Sequence, residues 1–345
     1  MMKALRKLAG GEGHVELVDI PTPSPGSGQV LLRVKSVGIC GTDLHIWEGR
    51  FDKVRPPVTL GHEFAGEVAE LGPEVVGWQK GQRVVSESQA SSCGTCVYCE
   101  QGQSNVCPER LAYGYGVDGG MAEYALVRAD GLHALPENVS FQQGAMVEPL
   151  AVAVHAVMER GVTLGQGPAL VSGPGPIGLL VLMVLAQAGV PALVCGTSKD
   201  QARLELAARL GAGATVMVDQ EDLGQAAQDF TSGLGFAAAW ECSGAGPALS
   251  AALTNVRRQG EVVQVGLAGG APTVDVDQLT LKEITLRGAF VHNRETWERA
   301  VQLLGEGALD LTPLISAEMP LGDWQSAFEL SRDQAGIKYL LRPGE

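Results

Sequence analysis

Four closely spaced cysteines are the strongest sign of metal chemistry in this sequence. They are Cys93, Cys96, Cys99 and Cys107, in the pattern Cys-x2-Cys-x2-Cys-x7-Cys. Four thiolates at such spacing can surround a zinc ion tetrahedrally, and Gly94 and Gly102 allow the chain to turn tightly between them. An iron–sulfur cluster is the main alternative, because four thiolates also suit iron. A metal with four protein ligands has no open position for a substrate, so we expect a structural zinc that stabilises a loop.

A second set of metal-ligand residue types precedes the cysteine cluster. Cys40 begins the stretch Cys-Gly-Thr-Asp-Leu-His that ends at His45, and Gly61-His62-Glu63 follows it. Thiolate, imidazole and carboxylate are ligands of catalytic zinc sites, which keep one position open for water or substrate. The spacing alone is equally compatible with a packed thiol, a hydrogen-bonded loop histidine and a surface glutamate. These residues are therefore candidates for a catalytic zinc site.

The third candidate site is a glycine-rich turn. Its fingerprint residues are Gly173, Gly175, Pro176, Ile177 and Gly178. The turn follows an apolar strand pattern and precedes an apolar helix pattern, which is the context in which such glycines bind a dinucleotide. The N-terminus of that helix would present amides and the positive end of its dipole to the pyrophosphate. An ordinary glycine-rich turn is the alternative, and the strand–helix alternation that follows argues against it.

The end of the next predicted strand bears on the choice of nucleotide. NAD-binding folds usually place an acidic residue there, which binds the ribose 2′-hydroxyl, but Gly196 stands at that position. The donors and cations that follow are Thr197, Ser198, Lys199 and Arg203. A missing carboxylate leaves room for a 2′-phosphate, so we predict a preference for NADP, with NAD as the alternative. Asp200 is acidic and close, but it better suits the N-cap of the next helix.

The elements that must position these residues fall into two patterns. The first 150 residues alternate apolar and polar side chains in short segments, which predicts an antiparallel, β-rich domain. From about Leu150 onwards, apolar strands alternate with helical stretches, which indicates a parallel sheet. The predicted strands are Ala169–Ser172, Ala192–Cys195, Thr215–Val218, Ala237–Glu241, Glu261–Val265 and Ile284–Leu286. We also predict a helix over Gln201–Leu210, with Asp200 at its N-cap and Gly211 after its C-terminus.

Length and charge limit the classes of function. A chain of 345 residues exceeds the size of a typical single core, so two domains are expected. The net charge of −14 disfavours binding to nucleic acid or to an anionic membrane and favours a small-molecule substrate. We find no secretory signal pattern and no apolar run long enough to span a bilayer, so we expect a cytoplasmic protein. In that reducing compartment, clustered thiols bind metal rather than form disulfides.

The order of these motifs resembles that of the zinc-dependent medium-chain alcohol dehydrogenases. The motifs are Cys40-Gly-Thr-Asp-x-His45, Gly61-His62-Glu63, the four cysteines, Glu148-Pro-Leu and the glycine-rich turn. Within that family the sequence is most similar to the sorbitol (polyol) and threonine dehydrogenases. The resemblance implies an α/β fold with a GroES-like catalytic domain and a Rossmann domain built on a doubly wound parallel sheet. The expected boundaries are 1–150 with a structural-zinc lobe at about 88–110, completed by 290–345, and 151–289 for the Rossmann domain.

The resemblance also implies roles for the candidate zinc ligands. Cys40, His62 and either Glu63 or Glu148 would bind the catalytic zinc, with the other glutamate nearby or behind a zinc-bound water. The zinc would act as a Lewis acid that stabilises the alkoxide from which hydride departs.

Two further residues could move the substrate proton. Thr42 lies two residues after a predicted ligand, so its hydroxyl can hydrogen-bond an alcohol on the metal. His45 resembles the relay histidine of the family, and an imidazole can hand the proton to solvent. A turn-stabilising threonine and a surface histidine are the simpler interpretations.

Other segments are assigned by resemblance alone. Cys242, Val265 and Gly266 end later strands and would lie beside the nicotinamide, although the thiols of Cys242 and Cys195 could equally be small buried groups. The stretch 290–294 resembles a substrate-lining segment, but its polar side chains could simply be solvated. For Trp47 and Tyr113, structural packing is the stronger interpretation.

These observations predict an enzyme with one catalytic and one structural zinc per chain. It would reversibly oxidise a secondary alcohol, on a polyol or sugar, by hydride transfer to NADP. An amino-alcohol dehydrogenase such as an L-threonine 3-dehydrogenase is the alternative enzyme, and a non-catalytic nucleotide-binding relative is the alternative from another class. The resemblance further implies a homo-oligomer, a tetramer or otherwise a dimer, joined through sheet edges of the cofactor domains.

Overall fold

The computed structural model describes residues 1–161 and 166–344, which form two compact units. Unit 1 comprises Met1–Glu148 and Asn293–Glu345, and unit 2 comprises Pro149–His292. No helix in the described ranges is both long enough and apolar enough to cross a membrane.

The strands that the structure describes lie, in chain order, first in unit 1 (ten strands), then in unit 2 (six) and finally in unit 1 again (two). They are β1 (Met2–Lys7), β2 (Val15–Ile20), β3 (Gln29–Gly38), β4 (Val58–Thr59), β5 (Glu63–Leu71), β6 (Arg83–Ser86), β7 (Gln89–Ser91), β8 (Leu111–Ala112), β9 (Tyr124–Arg128), β10 (Leu132–Ala134), β11 (Ala169–Ser172), β12 (Ala192–Gly196), β13 (Ala214–Met217), β14 (Phe236–Glu241), β15 (Val256–Gln264), β16 (Thr285–Gly288), β17 (Ile315–Pro320) and β18 (Lys338–Arg342).

The described ranges contain helices of four to twelve residues. They are α1 (Gly41–Trp47), α2 (Val97–Glu100), α3 (Phe141–Ala145), α4 (Val147–Val154), α5 (Pro176–Gln187), α6 (Gln201–Arg209), α7 (Leu223–Thr231), α8 (Gly246–Asn255), α9 (Asp277–Lys282), α10 (Arg294–Gly305) and α11 (Trp324–Arg332).

Unit 1 is built on a mainly antiparallel sheet. Its strand order is β10-β6-β5-β3-β18-β17, with β9 also paired to β3. Strand β3 pairs antiparallel with β5, with Gly38 opposite Glu63, and also with β18, with Gly38 opposite Leu340. The C-terminal strand β18 therefore lies beside β3, whose other edge pairs with the strand that begins at Glu63.

The sheet encloses a core of aliphatic and aromatic side chains. Leu32, Val34, Phe64 and Val68 are all buried in one cluster. Their burial removes apolar surface from water, which stabilises the fold by roughly 25 cal/mol for each Å² buried. Because a shift by one residue would expose these side chains, their burial fixes the strand register around the site.

Unit 2 contains a parallel six-stranded sheet in the order β13-β12-β11-β14-β15-β16. Numbered from β11, this order is 3-2-1-4-5-6, the arrangement of a doubly wound dinucleotide-binding fold. The predicted α/β fold with a β-rich and a Rossmann domain is thereby confirmed.

The predicted strands of unit 2 are all present, and all except Ala169–Ser172 have shifted ends. The largest difference is in β15, which begins at Val256 instead of Glu261. At its start, Val256 of β15 pairs with Phe236 of β14. The register then shifts, and Glu261 pairs with Ala238. Sequence alternation did not predict this start because Gln259 takes a left-handed φ of 56° and interrupts the strand pattern.

The helix after β12 shows a second difference. Helix α6 spans Gln201–Arg209, and Asp200 stands at its N-cap, but the Asp200 carboxylate makes no cap hydrogen bond to that helix. It accepts hydrogen bonds from the backbone N–H and hydroxyl of Thr197 instead, at 3.0 and 2.9 Å. The predicted N-cap position of Asp200 is therefore confirmed, but its carboxylate stabilises the preceding turn instead of the helix.

Candidate functional site

Helix α1 and the start of β5 bring the first candidate ligands together. Cys40 is the N-cap of α1, and His62 and Glu63 stand at the beginning of β5. The sulfur of Cys40, a ring nitrogen of His62 and a carboxylate oxygen of Glu63 all lie within 4.8 Å of one another. His62 is 6% exposed and Glu63 is 1% exposed. Two segments that are separate in the sequence thus form one group of ligand atoms, in which His62 and Glu63 are buried and Cys40 is half-buried.

Asp43 links these two segments, a role that the sequence analysis did not assign. Its fully buried carboxylate accepts hydrogen bonds from the backbone N–H of Cys40 at 2.9 Å and of Gly61 at 3.3 Å. Burial raises the pKa of Asp43, while the charge of His62 and the hydrogen bond from Cys40 lower it. Its position in the first turn of α1, three residues after the N-cap, is the sequence signal that could have identified it.

Lys338 is a second residue that sequence reasoning missed. Its ammonium nitrogen lies 2.7 Å from Oε1 of Glu63 and 2.5 Å from Oε2, and the Lys338 side chain is only 4% exposed. Burial lowers the pKa of Lys338, but the charges of Glu63 and Cys40 outweigh it and the pKa is raised overall. Glu63 is therefore a buried carboxylate held by one buried cation.

Glu148 lies near this group but outside its tight set of ligand atoms. It is 6% exposed in the first turn of α4, and its charge raises the pKa values of His62 and Glu63. For both residues burial is the larger influence: it lowers the pKa of His62 and raises that of Glu63. Of the two glutamates, Glu63 is the one that the structure groups with Cys40 and His62.

The donor set suits a zinc ion. It combines one sulfur, one imidazole and one carboxylate, and the Nδ1 atom of His62 is buried without a hydrogen-bond partner in the described part of the chain. Burial lowers the pKa of His62, but the nearby Cys40 sulfur outweighs it and the pKa is raised overall. Metal binding requires the neutral imidazole, so a bound dication would displace this proton.

The four cysteines of the second cluster also converge. The sulfur atoms of Cys96 and Cys99 are 3.5 Å apart, and those of Cys93 and Cys107 are 3.6 Å apart. All four ligand sulfurs lie within 4.8 Å of one another, and none is in a disulfide. The backbone N–H groups of Thr95 and Cys96 lower the pKa of Cys93 to about 6. This arrangement fits a metal held by four thiolates.

The predicted relay residues share helix α1. Thr42 is half-buried and His45 is exposed, and a spacing of three residues places them on the same face of the helix. The aromatic residue beside His62 is Tyr115, whose ring centre lies 6.2 Å away; the sequence analysis did not single it out. Trp47 packs at 5.8 Å against Phe328, which supports a packing role.

In unit 2 the glycine-rich turn has the geometry of a phosphate cradle. A Cβ on Gly178 would lie 1.9 Å from the carbonyl oxygen of Gly173, so any side chain there would separate the turn from helix α5. A Cβ on Gly175 would meet no atom within 4 Å, so open space faces the helix N-terminus. Pro176 starts α5, where its missing N–H costs nothing. Backbone amides and open space at a helix start suit a pyrophosphate.

The loop after β12 is more constrained than the sequence suggested. A Cβ on Gly196 would lie 2.9 Å from the ring of Pro174. Close packing therefore explains why glycine, and not an acidic residue, stands at this position. Ser198 donates its backbone N–H and its hydroxyl to the carboxylate of Asp219, at 2.7 and 2.5 Å. The predicted donors Thr197 and Ser198 therefore already have partners within the protein. Lys199 is exposed.

Arg203 and the two thiols near this sheet edge have a protein partner or are buried. Arg203 lies 3.7 Å from the carboxylate of Asp200. Burial raises the pKa of Cys195 to about 11 and the pKa of Cys242 well above its usual value, so both thiols stay protonated. Val265 and Gly266 both donate their backbone N–H groups to the carbonyl of Glu241, at 2.9 Å.

Two residues of the predicted substrate-lining stretch make contacts within unit 1. Asn293 caps helix α10 by accepting a hydrogen bond from the backbone N–H of Thr296. Arg294 pairs with Glu298 at 3.1 Å and lies 3.6 Å from Glu87. Their polar groups thus have structural partners, which weakens the prediction that they bind substrate hydroxyls.

Gly38 permits the close approach of the Glu63 carboxylate, and this yields a testable prediction. A Cβ on Gly38 would lie 2.2 Å from Oε2 of Glu63, so Gly38→Ala should displace the carboxylate. We expect the affinity for zinc to fall at least about tenfold, as for other changes that reorient a ligand. Competition with a chelator measures the affinity for zinc. Gly10→Ala, where a Cβ would meet no atom within 4 Å, is the control. Equal affinities in the two variants would contradict the role given to Gly38.

Comparison with known proteins places both units in one family. Residues 26–137 match the alcohol dehydrogenase GroES-like domain, and residues 176–306 match the zinc-binding dehydrogenase domain. A sorbitol dehydrogenase of Halalkalibacterium halodurans is 38% identical over 343 residues, 99% of each chain. An L-threonine 3-dehydrogenase of Pyrococcus horikoshii is 37% identical over 337 residues, 96% of this chain and 95% of that protein.

A solved structure gives the same result for the fold. A protein of Sinorhizobium meliloti, assigned as a zinc-binding dehydrogenase and bound to NADP, superposes with a TM-score of 0.92 at 30% identity. The match covers 99% of each chain. The resemblance to the polyol and threonine dehydrogenases is thereby confirmed.

Proposed function

Because this chain belongs to the zinc-binding dehydrogenases of the alcohol dehydrogenase family, we propose that it oxidises a secondary alcohol of a polyol or sugar to the ketone, reversibly, with NADP as the preferred hydride acceptor. The observation that carries this proposal is the buried group of Cys40, His62 and Glu63 at the start of the helix that holds Thr42 and His45.

The chain's own residues bind the metal and move the proton. Cys40, His62 and Glu63 would hold the catalytic zinc, and the four clustered cysteines would hold a structural one. When bound, the catalytic zinc supplies Lewis acidity, which lowers the pKa of the substrate hydroxyl. The Thr42 hydroxyl would accept the substrate proton while giving up its own, and His45, exposed on the same face of α1, would pass that proton to solvent.

Unit 2 holds the nucleotide in this proposal. The turn at Gly173–Gly178 would hold the pyrophosphate of NADP, and the nucleotide, when bound, would supply the hydride acceptor. The oxidation releases one proton, the one that Thr42 takes, so hydride and proton together account for the two hydrogens lost. The absence of an acid at Gly196 and the exposed Lys199 support NADP over NAD.

The assembly and location of the protein belong to the same proposal. We infer a homo-oligomer, a tetramer in preference to a dimer, in the cytoplasm, acting on a small molecule. The net charge of −14 supports a small-molecule substrate over nucleic acid.

A substrate panel with Thr42 variants tests the function. We expect the purified protein to reduce NADP with sorbitol and related polyols. Thr42→Val should lower kcat/KM by about 100-fold, because a positioned proton acceptor contributes at least that much. Thr42→Ser keeps the hydroxyl and should stay close to wild type.

Three results would change the assignment. Faster turnover of L-threonine than of polyols would favour the amino-alcohol alternative. No turnover of either class by protein that holds both zincs would favour a non-catalytic nucleotide-binding protein. Equal rates for Thr42→Val and Thr42→Ser would remove Thr42 from the proton path.

A further inference from the structure

Two loops meet at the edge of the sheet where the adenosine ribose binds in this fold. Ser198 lies two residues after β12 and Asp219 two residues after β13. The backbone N–H of Val218 donates to the carbonyl of Gly196 at 2.9 Å, which holds the loops together. The carboxylate of Asp219 then accepts both the N–H and the hydroxyl of Ser198.

These two donors are the kind that a 2′-phosphate requires. Backbone N–H groups and hydroxyls at the end of the second strand, with a nearby cation, bind the extra phosphate of NADP. Here a carboxylate already accepts both of them. The hydrogen bonds from Ser198 and the charge of Lys199 lower the pKa of Asp219, so the carboxylate is ionised at neutral pH.

We propose that Asp219 is a specificity-determining residue that weakens NADP binding, because its carboxylate competes with the 2′-phosphate for the N–H and hydroxyl of Ser198. To bind NADP, the loop gives up two hydrogen bonds to Asp219 and accepts a dianion beside a carboxylate. NAD, whose ribose carries only a neutral hydroxyl, meets no such repulsion. Asp219 thereby limits the preference for NADP that Gly196 and Lys199 support.

This inference rests on the proposed function only in that unit 2 binds a nicotinamide nucleotide. It concerns the ratio of two binding constants and requires neither zinc nor turnover. Its test is therefore independent of the proposed alcohol substrate.

Equilibrium binding of NADPH and NADH, followed by nucleotide fluorescence, tests the inference. Asp219→Asn removes the charge and keeps a hydrogen-bond acceptor for Ser198, and Asp219→Ala removes both. We expect Asp219→Asn to bind NADPH about two- to fivefold more tightly, the range for an exposed charge contact, with the affinity for NADH unchanged. Asp219→Ala should show at least the same gain for NADPH. Higher salt should shrink the gain, because exposed charges are screened.

Asp229→Asn is the matched control. It removes one exposed carboxylate from α7 in the same unit, with a single hydrogen bond to Gln225 in the described structure, and should leave both constants unchanged. Weaker NADPH binding in Asp219→Asn would overturn the proposal, since Asp219 would then position Ser198 for the phosphate. Equal changes in the binding constants of NADPH and NADH, or no change in either, would also overturn the proposal. If the wild type binds neither nucleotide, the proposed function fails instead.

Discussion

Replacing Cys40 with serine is expected to remove one of two zinc ions per chain and to lower kcat/KM by at least about a thousandfold. The thiolate is one of three ligand groups within 4.8 Å of one another, and serine is a poor replacement because its hydroxyl stays protonated at neutral pH. A Lewis-acidic metal contributes several kcal/mol to the transition state, and each 1.36 kcal/mol corresponds to a tenfold change in rate. Zinc analysis of the purified variant and steady-state kinetics with a polyol measure the two effects.

Two other cysteine variants make the result specific. Cys96→Ser should also lose one zinc, but from the four-cysteine cluster, and should lower the melting temperature because that metal holds a loop together. Cys195→Ala alters a buried thiol of unit 2 and should keep both metals. If Cys40→Ser keeps full zinc content and full activity, the catalytic assignment of Cys40, His62 and Glu63 is wrong.

The features that could be predicted from the sequence are those whose residues are close together in it. Ala169–Ser172 was predicted as a strand to the residue, because an apolar run followed by fingerprint glycines is a local signal. The four cysteines and the Cys40 stretch are also compact in the sequence. Each of these signals follows from spacing or periodicity, and the fold preserves it.

The contacts that complete the sites come from distant positions. Gly38, Glu63 and Lys338 meet because β3 pairs with both β5 and β18, and no local pattern marks a lysine almost three hundred residues away as the partner of Glu63. A lysine in a terminal strand is usually exposed, so propensity alone predicts the opposite of its burial.

The nucleotide loop shows a second limit of sequence reasoning. Spacing identified Ser198 as a phosphate donor, but could not show that Asp219, in the loop after the next strand, already accepts its hydrogen bonds. The sequence indicates which donors exist in a loop. Tertiary structure determines whether their hydrogen bonds are available to a ligand.

Breaking the ion pair between Lys338 and Glu63 should produce the largest effect on stability. In metal-free protein, Lys338→Met leaves the Glu63 carboxylate, only 1% exposed, without its cation, and removing one partner of a buried pair costs about 3–5 kcal/mol. Zinc offers Glu63 a second positive partner, so saturating zinc should recover much of the loss. Melting temperatures with a chelator and with added zinc measure both quantities.

The control for this prediction is a surface pair of the same type in the same unit. Lys35 lies 3.1 Å from Glu67, with both side chains about one-third exposed. Lys35→Met should therefore lower the free energy of unfolding by at most about 1 kcal/mol. This loss should be the same with and without zinc. Lys338→Arg keeps the charge and should recover part of the stability that methionine loses. A Lys338→Met protein that melts like Lys35→Met under both conditions would show that Lys338 does not hold the Glu63 carboxylate. A loss that zinc does not reduce would show instead that Glu63 is not a ligand, and the third protein ligand would then be Glu148.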